Sequence, residues 1–275
     1  MNGFPSSMHT HTHYGHGENS PEEMILAAID LGFSSIGISE HAWAPYDLDV
    51  CIPKSRMEAY RTDVVHLKEK YADVIEVCCG LEVDFYSLYD KSDWDYVVGS
   101  VHYVQSAKTG EYYPVDWRPA GIEAGIEDAG GGSAQGFIEM YGANVLALAR
   151  QYQPDVIGHI DVIAKLNRGG RFFDPGASWY RAMWEKIVKT IAQSGSVAEV
   201  NTGGMAQGYT DELYPSTQIL QMLHREGVPV TICSDAHETG LLAYGFEHAL
   251  DLLREVGYKS VKLWQGGNFV DLSIM

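Results

Sequence analysis

The sequence predicts a parallel α/β fold, and three observations support this prediction. Short runs rich in β-branched and aromatic residues alternate with longer amphipathic runs, the pattern of parallel strands joined by helices. The chain has 275 residues, and one α/β barrel uses about 250. Apolar residues make up 45% of the chain and charged residues 20%, a balance that can bury a large core. We therefore expect a single domain spanning residues 1–275.

The predicted strands are short and are separated by turn residues. A brief first strand precedes His9, and the remaining strands are predicted at residues 35–39, 75–82, 96–100, 156–160, 197–201, 230–234 and 260–264. Ser20, Pro21 and Glu23 form a capping box with proline at the first helical position, and this helix ends before Gly32. Further helices are predicted at residues 135–151, 178–193, 216–226 and 246–256. Residues 103–136 lack strong periodicity, and their length predicts an active-site loop.

Charge and composition exclude several classes of function. The formal net charge of −18 disfavours nucleic acid polymers and anionic membranes as partners. No run approaches the ~18 apolar residues of a membrane span, and the polar, His-rich start of the chain does not resemble a signal peptide. The four cysteines, with no Cys-x-x-Cys pair, are expected to be reduced in a cytoplasmic protein. Nothing in the sequence indicates the oligomeric state.

Residues able to bind metal follow nearly every predicted strand. They are His9, His11, His41, Glu82, His102, His159, Asp235 and His237. One such histidine is usually structural, but the carboxyl ends of parallel strands open onto one face of a barrel, so these side chains are expected to converge. Imidazoles with carboxylates and without paired cysteines favour Zn, Fe or Mn. A multinuclear centre of this kind hydrolyses phosphate esters, and it would allow an acidic protein to bind a small phosphorylated metabolite.

The motifs around these residues resemble those of the polymerase and histidinol phosphatase (PHP) family. They are His9-Thr10-His11 with His16, Ser39-Glu40-His41, Gly80-Leu81-Glu82-Val83-Asp84, Gly99-Ser100-Val101-His102, Gly158-His159-Ile160-Asp161 and Ser234-Asp235-Ala236-His237. The resemblance implies a distorted (β/α)7, TIM-like barrel that holds three divalent metal ions. It implies a first ion on His9, His11, Glu82 and Asp235, a second on Glu82, His102 and His159, and a third on His16, His41 and His237. It also implies catalytic roles for Glu82, Asp235 and His237.

Within that family the chain is most similar to the histidinol-phosphate phosphatase branch. The similarity rests on residues 199–204, 213–216, 172–174 and 114–116. It implies hydrolysis of L-histidinol phosphate in histidine biosynthesis. Ser7 stands where the family often has an aspartate, and the phosphate-binding arginines of the branch are absent. The candidate replacements for these arginines are Lys165, Arg168, Arg171 and Arg118.

Two alternatives to this function remain open. The same fold hydrolyses nucleotides or other small phosphate esters in related proteins, and a non-catalytic metal-binding module is a third interpretation, which the complete ligand set disfavours. The general acid is also open, with Asp161 and Asp235 as candidates.

Overall fold

Seven parallel strands form the centre of the fold in the computed structural model, which describes residues 4–275. They are β1 (Ser6–Ser7), β2 (Ser35–Ile38), β3 (Glu76–Asp84), β4 (Tyr96–Ser100), β7 (Val156–Ile157), β8 (Val197–Asn201) and β9 (Val230–Cys233). Each pairs in parallel with the next in that order. A backbone bridge between Thr10 and Ala236 joins the two edges of the sheet. The predicted TIM-like α/β barrel is therefore confirmed, with seven strands that close almost completely.

Helices cover the outside of this barrel. They are α1 (Pro21–Asp30), α2 (Met57–Lys70), α4 (Ala134–Ala147), α5 (Ser178–Ser194), α7 (Thr217–Arg225) and α8 (Phe246–Val256), with a short α6 (Gly203–Ala206) after β8. The capping box predicted for α1 is present: the Glu23 amide donates to Ser20 Oγ at 3.2 Å, and the Ser20 amide donates to the Glu23 carboxylate at 2.8 Å. None of the helices within residues 4–275 has the length and apolar character that crossing a bilayer requires.

The strand predicted at 260–264 exists but does not belong to the barrel. It is part of β10 (Ser260–Gln265), which pairs antiparallel with β11 (Asn268–Ser273). Gly266 and Gly267 both have positive φ, a conformation that glycine adopts readily, and they form the turn of this hairpin. The brief strand predicted before His9 is present as β1 and belongs to the seven-stranded barrel.

The segment 103–136 is ordered secondary structure rather than the predicted loop. It contains a hairpin of β5 (Tyr103–Gln105) and β6 (Tyr112–Pro114), followed by α3 (Pro119–Asp128). The two strands have three residues each, too few to show an alternation, and α3 contains two glycines, Gly121 and Gly125, which lie close to Pro114 and Phe137. The expectation that this segment reaches the active-site face agrees with the structure, since Tyr103, Pro114, Asp116 and Trp117 line the cavity described below.

Burial of the barrel strands positions the site. Residues 77–84 of β3 are all buried, Glu82 among them. A carboxylate in such a strand is held by its backbone on both sides, through parallel pairing with β4 and a bridge between Glu82 and His41. Its position is thus fixed by the sheet rather than by a loop.

Candidate metal centre

The structure brings all nine predicted ligand side chains together at one end of the barrel. His9 and His11 follow β1, His41 follows β2, Glu82 lies in β3, His102 follows β4, His159 follows β7, Asp235 and His237 follow β9, and His16 lies in the turn before α1. Their donor atoms form overlapping groups within 4.8 Å. We call these nine side chains the metal cluster. Parallel strands explain the convergence, because every contributing strand ends on the same face.

Glu82 lies at the centre of the metal cluster. Its Oε2 is 2.9 Å from His41 Nδ1, 3.2 Å from His9 Nε2 and 3.4 Å from His11 Nε2. Its Oε1 is 3.2 Å from His159 Nε2 and 3.4 Å from His102 Nε2. Ligand atoms that share an ion at bond lengths of about 2.0–2.2 Å are themselves roughly 3–3.5 Å apart. The spacing therefore has the geometry of donors arranged around common ions.

The groups that the structure forms resemble the implied assignment of ligands without matching it fully. His9, His11 and Asp235 form one group, and His11, His16, His41 and His237 form another. His159 and His102, which the resemblance implies for the second ion, fall into separate groups. His159 groups with His9 and Glu82, and His102 groups with His41 and Glu82. Glu82 belongs to both of these groups, as expected for a bridging carboxylate.

Two buried atoms of the metal cluster indicate that divalent ions fit here. His237 Nε2 forms no hydrogen bond with any of the described residues, and none of the imidazole nitrogens near Glu82 Oε2 has hydrogen-bond geometry to it, despite distances of 2.9–3.4 Å. A buried polar atom without a partner destabilises a protein by about 1–3 kcal/mol, and a metal ion would satisfy both atoms. The set of imidazoles and carboxylates suits Zn, Fe or Mn.

The electrostatics of the metal cluster favour bound cations. Burial alone would raise the pKa of Glu82, but His41, His9 and His102 outweigh it and the net pKa lies well below the usual value. Burial lowers the pKa of His237 to about 3, with His11 as the next cause. Glu82 is thus ionised and His237 neutral, which are the forms that coordinate metal. For two other histidines burial lowers the pKa, but nearby carboxylates outweigh it and raise the pKa of His11 to about 9 and that of His102 to about 10, so metal binding there would displace a proton.

Three acidic residues orient the ligands and were not predicted as site residues. The Glu199 carboxylate lies 2.7 Å from His9 Nδ1 and accepts the His159 amide at 2.6 Å. Asp84 accepts the His102 amide at 2.8 Å, and Glu40 accepts the Thr12 amide at 2.6 Å. The sequence feature that could have identified them is an acidic residue at a position where the strand pattern predicts burial. The Glu199 contact fixes the orientation of the His9 ring. Asp84 and Glu40 instead hold the backbone at His102 and next to His11.

Glu199 also explains how His9 is held without the usual aspartate at position 7. The Ser7 hydroxyl lies 3.2 Å from the Ser234 hydroxyl and donates to the His9 carbonyl at 3.3 Å. It therefore supports the backbone, while Glu199 supports the imidazole ring.

A cavity of about 440 Å³ opens above the metal cluster. Its walls include Asp47, Tyr103, Asp116 and Lys165, which we call the cleft wall. Lys165 is the sole lysine or arginine that lines this cavity within residues 4–275. Its Nζ lies 3.8 Å from Asp116 Oδ2 and 4.6 Å from the centre of the Tyr209 ring.

The three candidate arginines do not line the cavity. Arg168 pairs with Asp211 at 3.2 Å and Arg171 with Glu123 at 2.7 Å, all four side chains being more than half exposed. Arg118 is exposed beside Trp117. Short exposed turns place these arginines in solvent, which the sequence pattern did not reveal. Of the four predicted cations, the structure brings only Lys165 to the cleft.

The two candidate general acids also differ in position. Asp235 lines the cavity. Asp161 is buried away from it, and its Oδ2 accepts the Ser216 amide at 2.9 Å, which ties the loop after β7 to the start of α7. Its geometry is that of a structural residue.

Comparison with known proteins identifies the class that this fold and site define. The model of the PHP domain family matches residues 7–203, and the chain belongs to that family.

The relatives point to one branch of it. A protein named "probable histidinol-phosphatase" from Deinococcus radiodurans is 28% identical over 92% of this chain and 94% of its own length. The histidinol-phosphatase of Bacillus subtilis is 24% identical over 88% of this chain and 97% of its own. These relatives confirm the predicted resemblance to the histidinol-phosphatase branch.

Two solved structures share the fold. The hisK chain of Listeria monocytogenes superposes with a TM-score of 0.76 at 22% identity, covering 88% of this chain and 99% of that one. Histidinol phosphate phosphatase from Lactococcus lactis, solved with zinc, L-histidinol and phosphate, gives a TM-score of 0.69 at 18% identity over 97% and 98% of the two chains.

Proposed function

We propose that this chain is a cytoplasmic metal-dependent phosphomonoesterase that hydrolyses L-histidinol phosphate to L-histidinol and phosphate, and that residues 1–275 act as one catalytic domain. The observation that carries the proposal is the metal cluster, nine ligand side chains from seven places in the sequence that meet below one cavity. The names of the relatives with near-complete coverage support the substrate.

The metal cluster would hold three divalent ions, with Zn, Fe and Mn as candidates. His9, His11, Glu82 and Asp235 would hold the first, Glu82, His102 and His159 the second, and His16, His41 and His237 the third. Ions in such a centre polarise phosphate oxygens and supply an activated water for in-line attack. The zinc bound by the Lactococcus lactis protein is consistent with this metal class.

The chain's own residues have separable tasks in this proposal. Glu82, ionised and buried, would contribute its carboxylate to two of the ion sites. Lys165 faces the cavity from the wall and would bind a phosphate oxygen in place of the missing arginines. Asp235 reaches the cavity as an ionised ligand, since burial would raise its pKa but His9 and His11 hold it well below the usual value, and in that form it accepts rather than delivers a proton.

Phosphate release from a set of monoesters tests the proposal. Metal-replete protein should release phosphate from L-histidinol phosphate faster than from AMP or glycerol phosphate, and His102→Ala should lower that rate at least about 100-fold. Faster release from AMP would favour the nucleotide alternative. Full metal loading without release from any ester would favour the non-catalytic module and contradict the proposal.

A further inference from the structure

Asp84 contacts both a ligand of the metal cluster and the loop between β2 and α2. Its Oδ2 accepts the His102 amide at 2.8 Å and is 3.6 Å from Nδ1 of the same residue. The other ring nitrogen, His102 Nε2, faces Glu82 Oε1 at 3.4 Å. A carboxylate near Nδ1 favours a proton on that nitrogen and leaves Nε2 free to bind an ion. Asp84 is therefore placed to favour the form and orientation of His102 that a metal centre needs.

The opposite oxygen of Asp84 is held by two donors. Tyr46 donates its hydroxyl to Asp84 Oδ1 at 2.6 Å, and the Tyr86 amide donates to the same oxygen at 3.1 Å. Burial raises the pKa of Tyr46, and the Asp84 carboxylate raises it further, so this hydroxyl keeps its proton and acts as a donor. A hydrogen bond to an ionised acceptor is roughly twice as strong as one between neutral groups. Tyr46 thus supplies the shorter of the two contacts that fix this carboxylate oxygen.

Packing fixes the ring that carries this hydroxyl. The Tyr46 ring stacks on Tyr112 with 4.1 Å between ring centres, and it lies edge-on to Tyr103 at 4.9 Å. Tyr46 also lines the cavity, but within residues 4–275 no hydrogen bond joins it to the metal cluster. We therefore expect its hydroxyl to influence the metal ions through Asp84.

We propose that Tyr46 is a positioning residue of the metal centre, which acts through Asp84 to hold the imidazole of His102 toward the ions. This inference rests on the proposed metal centre and not on the identity of the phosphate ester. Rotation of the carboxyl group would move Asp84 Oδ2 away from His102, and the hydroxyl of Tyr46 opposes that rotation from the other oxygen. The loop between β2 and α2, which forms part of the cavity, is thereby connected to a ligand that follows β4.

The number of ions that remain bound in the presence of a chelator tests this role. Tyr46→Phe keeps the packed ring and removes only the hydroxyl. It should weaken the ion held by His102 about threefold to tenfold, less than the ~10- to 100-fold expected for losing a direct partner of a ligand. At a chelator concentration that just leaves wild type fully loaded, mass spectrometry under non-denaturing conditions should show one ion fewer in the variant. A general defect in folding would instead weaken all the ions together.

Tyr112→Phe is the matched control. It removes the same group from the ring stacked on Tyr46, and the Tyr112 hydroxyl forms no hydrogen bond within the part of the chain that the structure describes. This variant should keep the metal affinity of wild type. A loss of less than about threefold in Tyr46→Phe would overturn the proposal. Equal losses in the two tyrosine variants would overturn it as well.

A double-mutant cycle tests the connection through Asp84. Asp84→Asn leaves one acceptor oxygen where the carboxylate has two, so the side chain can no longer accept from Tyr46 on one side and from His102 on the other. In that background Tyr46→Phe should change metal affinity by less than about twofold. An undiminished effect would show that Tyr46 acts by another route and would overturn the proposal. If Asp84→Asn retains no ion on His102, the comparison of the two tyrosine variants decides the question.

Measuring metal binding without any ester separates this inference from the phosphatase proposal. Circular dichroism should show the same secondary structure in each variant as in wild type before metal is added. Weaker binding of one ion in Tyr46→Phe would support the inference even if no ester is hydrolysed. A wild type that binds no ion would overturn the metal centre and this inference together. Full loading of wild type with equal affinities in Tyr46→Phe would overturn the inference alone.

Discussion

The metal cluster and the cleft wall occupy the same end of the barrel but are built differently. Eight of the nine side chains of the metal cluster, all but His16, lie in or shortly after parallel strands, and several are buried, including His9, His11 and Glu82. The residues of the cleft wall lie outside the barrel strands and are partly exposed, as Lys165 and Asp116 illustrate with side chains 17% and 21% exposed. The barrel strands thus position the candidate metal ligands, whereas segments outside those strands build the wall of the cavity.

Replacing the central carboxylate should have the largest effect. Glu82→Gln removes the negative charge that two of the proposed ion sites share. We therefore expect kcat to fall by about 1,000-fold or more, together with a loss of bound metal. Phosphate release and elemental analysis would measure both. Glu69→Gln makes the same change on the exposed face of α2 and should leave both unchanged. Near-normal metal content and activity in Glu82→Gln would show that the centre does not depend on this residue.

A smaller effect is expected from Glu199, which touches a ligand rather than an ion position. Glu199→Gln keeps the shape of the side chain but weakens its contact with His9 Nδ1, and loss of such a partner lowers metal affinity about 10- to 100-fold. Competition with a chelator would measure the affinity. Glu185→Gln, on the exposed face of α5, is the charge control. If the two variants bind metal equally well, the His9 ring is held by other contacts.

The cleft wall should show the smallest effect, and mainly in KM. Lys165→Met removes the cation that faces the cavity, and we expect KM for L-histidinol phosphate to rise about tenfold with little change in kcat, because a phosphate contact present in both ground and transition states is lost. Steady-state kinetics would separate the two constants. Arg171→Met removes an exposed ion pair and should change neither, with a cost in stability of about 0–1 kcal/mol. An effect of Arg171→Met on KM as large as that of Lys165→Met would show that Arg171 contributes to substrate binding.

The contrast also explains which features could be predicted from the sequence. His41, Glu82 and His102 follow or lie in strands with clear alternation or burial patterns, so their convergence follows from parallel topology alone. Asp47 and Asp116 lie on connections whose course depends on tertiary contacts such as the packing of Phe137 on Gly125. Residues 260–264 were predicted as a further strand of the parallel fold, but they pair with residues 268–273 in a hairpin. The local sequence pattern indicates a strand without specifying its pairing partner.

Glu199 and Arg168 illustrate the same limit within the site. Glu199 is part of β8, and its partner His9 is 190 positions away, a contact that no local pattern contains. Arg168 lies close in sequence to Lys165, yet it points to Asp211 in solvent while Lys165 lines the cavity. Side-chain direction in irregular turns is set by the backbone, which the residue types there do not determine.

The number of metal ions bound to one folded chain tests the central claim most directly. Mass spectrometry under non-denaturing conditions, on protein loaded with Zn or Mn and freed of excess metal, should show three ions per chain, and His102→Ala and Glu82→Gln should each bind fewer. A wild-type chain that retains no ion after this treatment, or that binds the same number as both variants, would contradict the assignment of these nine side chains to a metal centre.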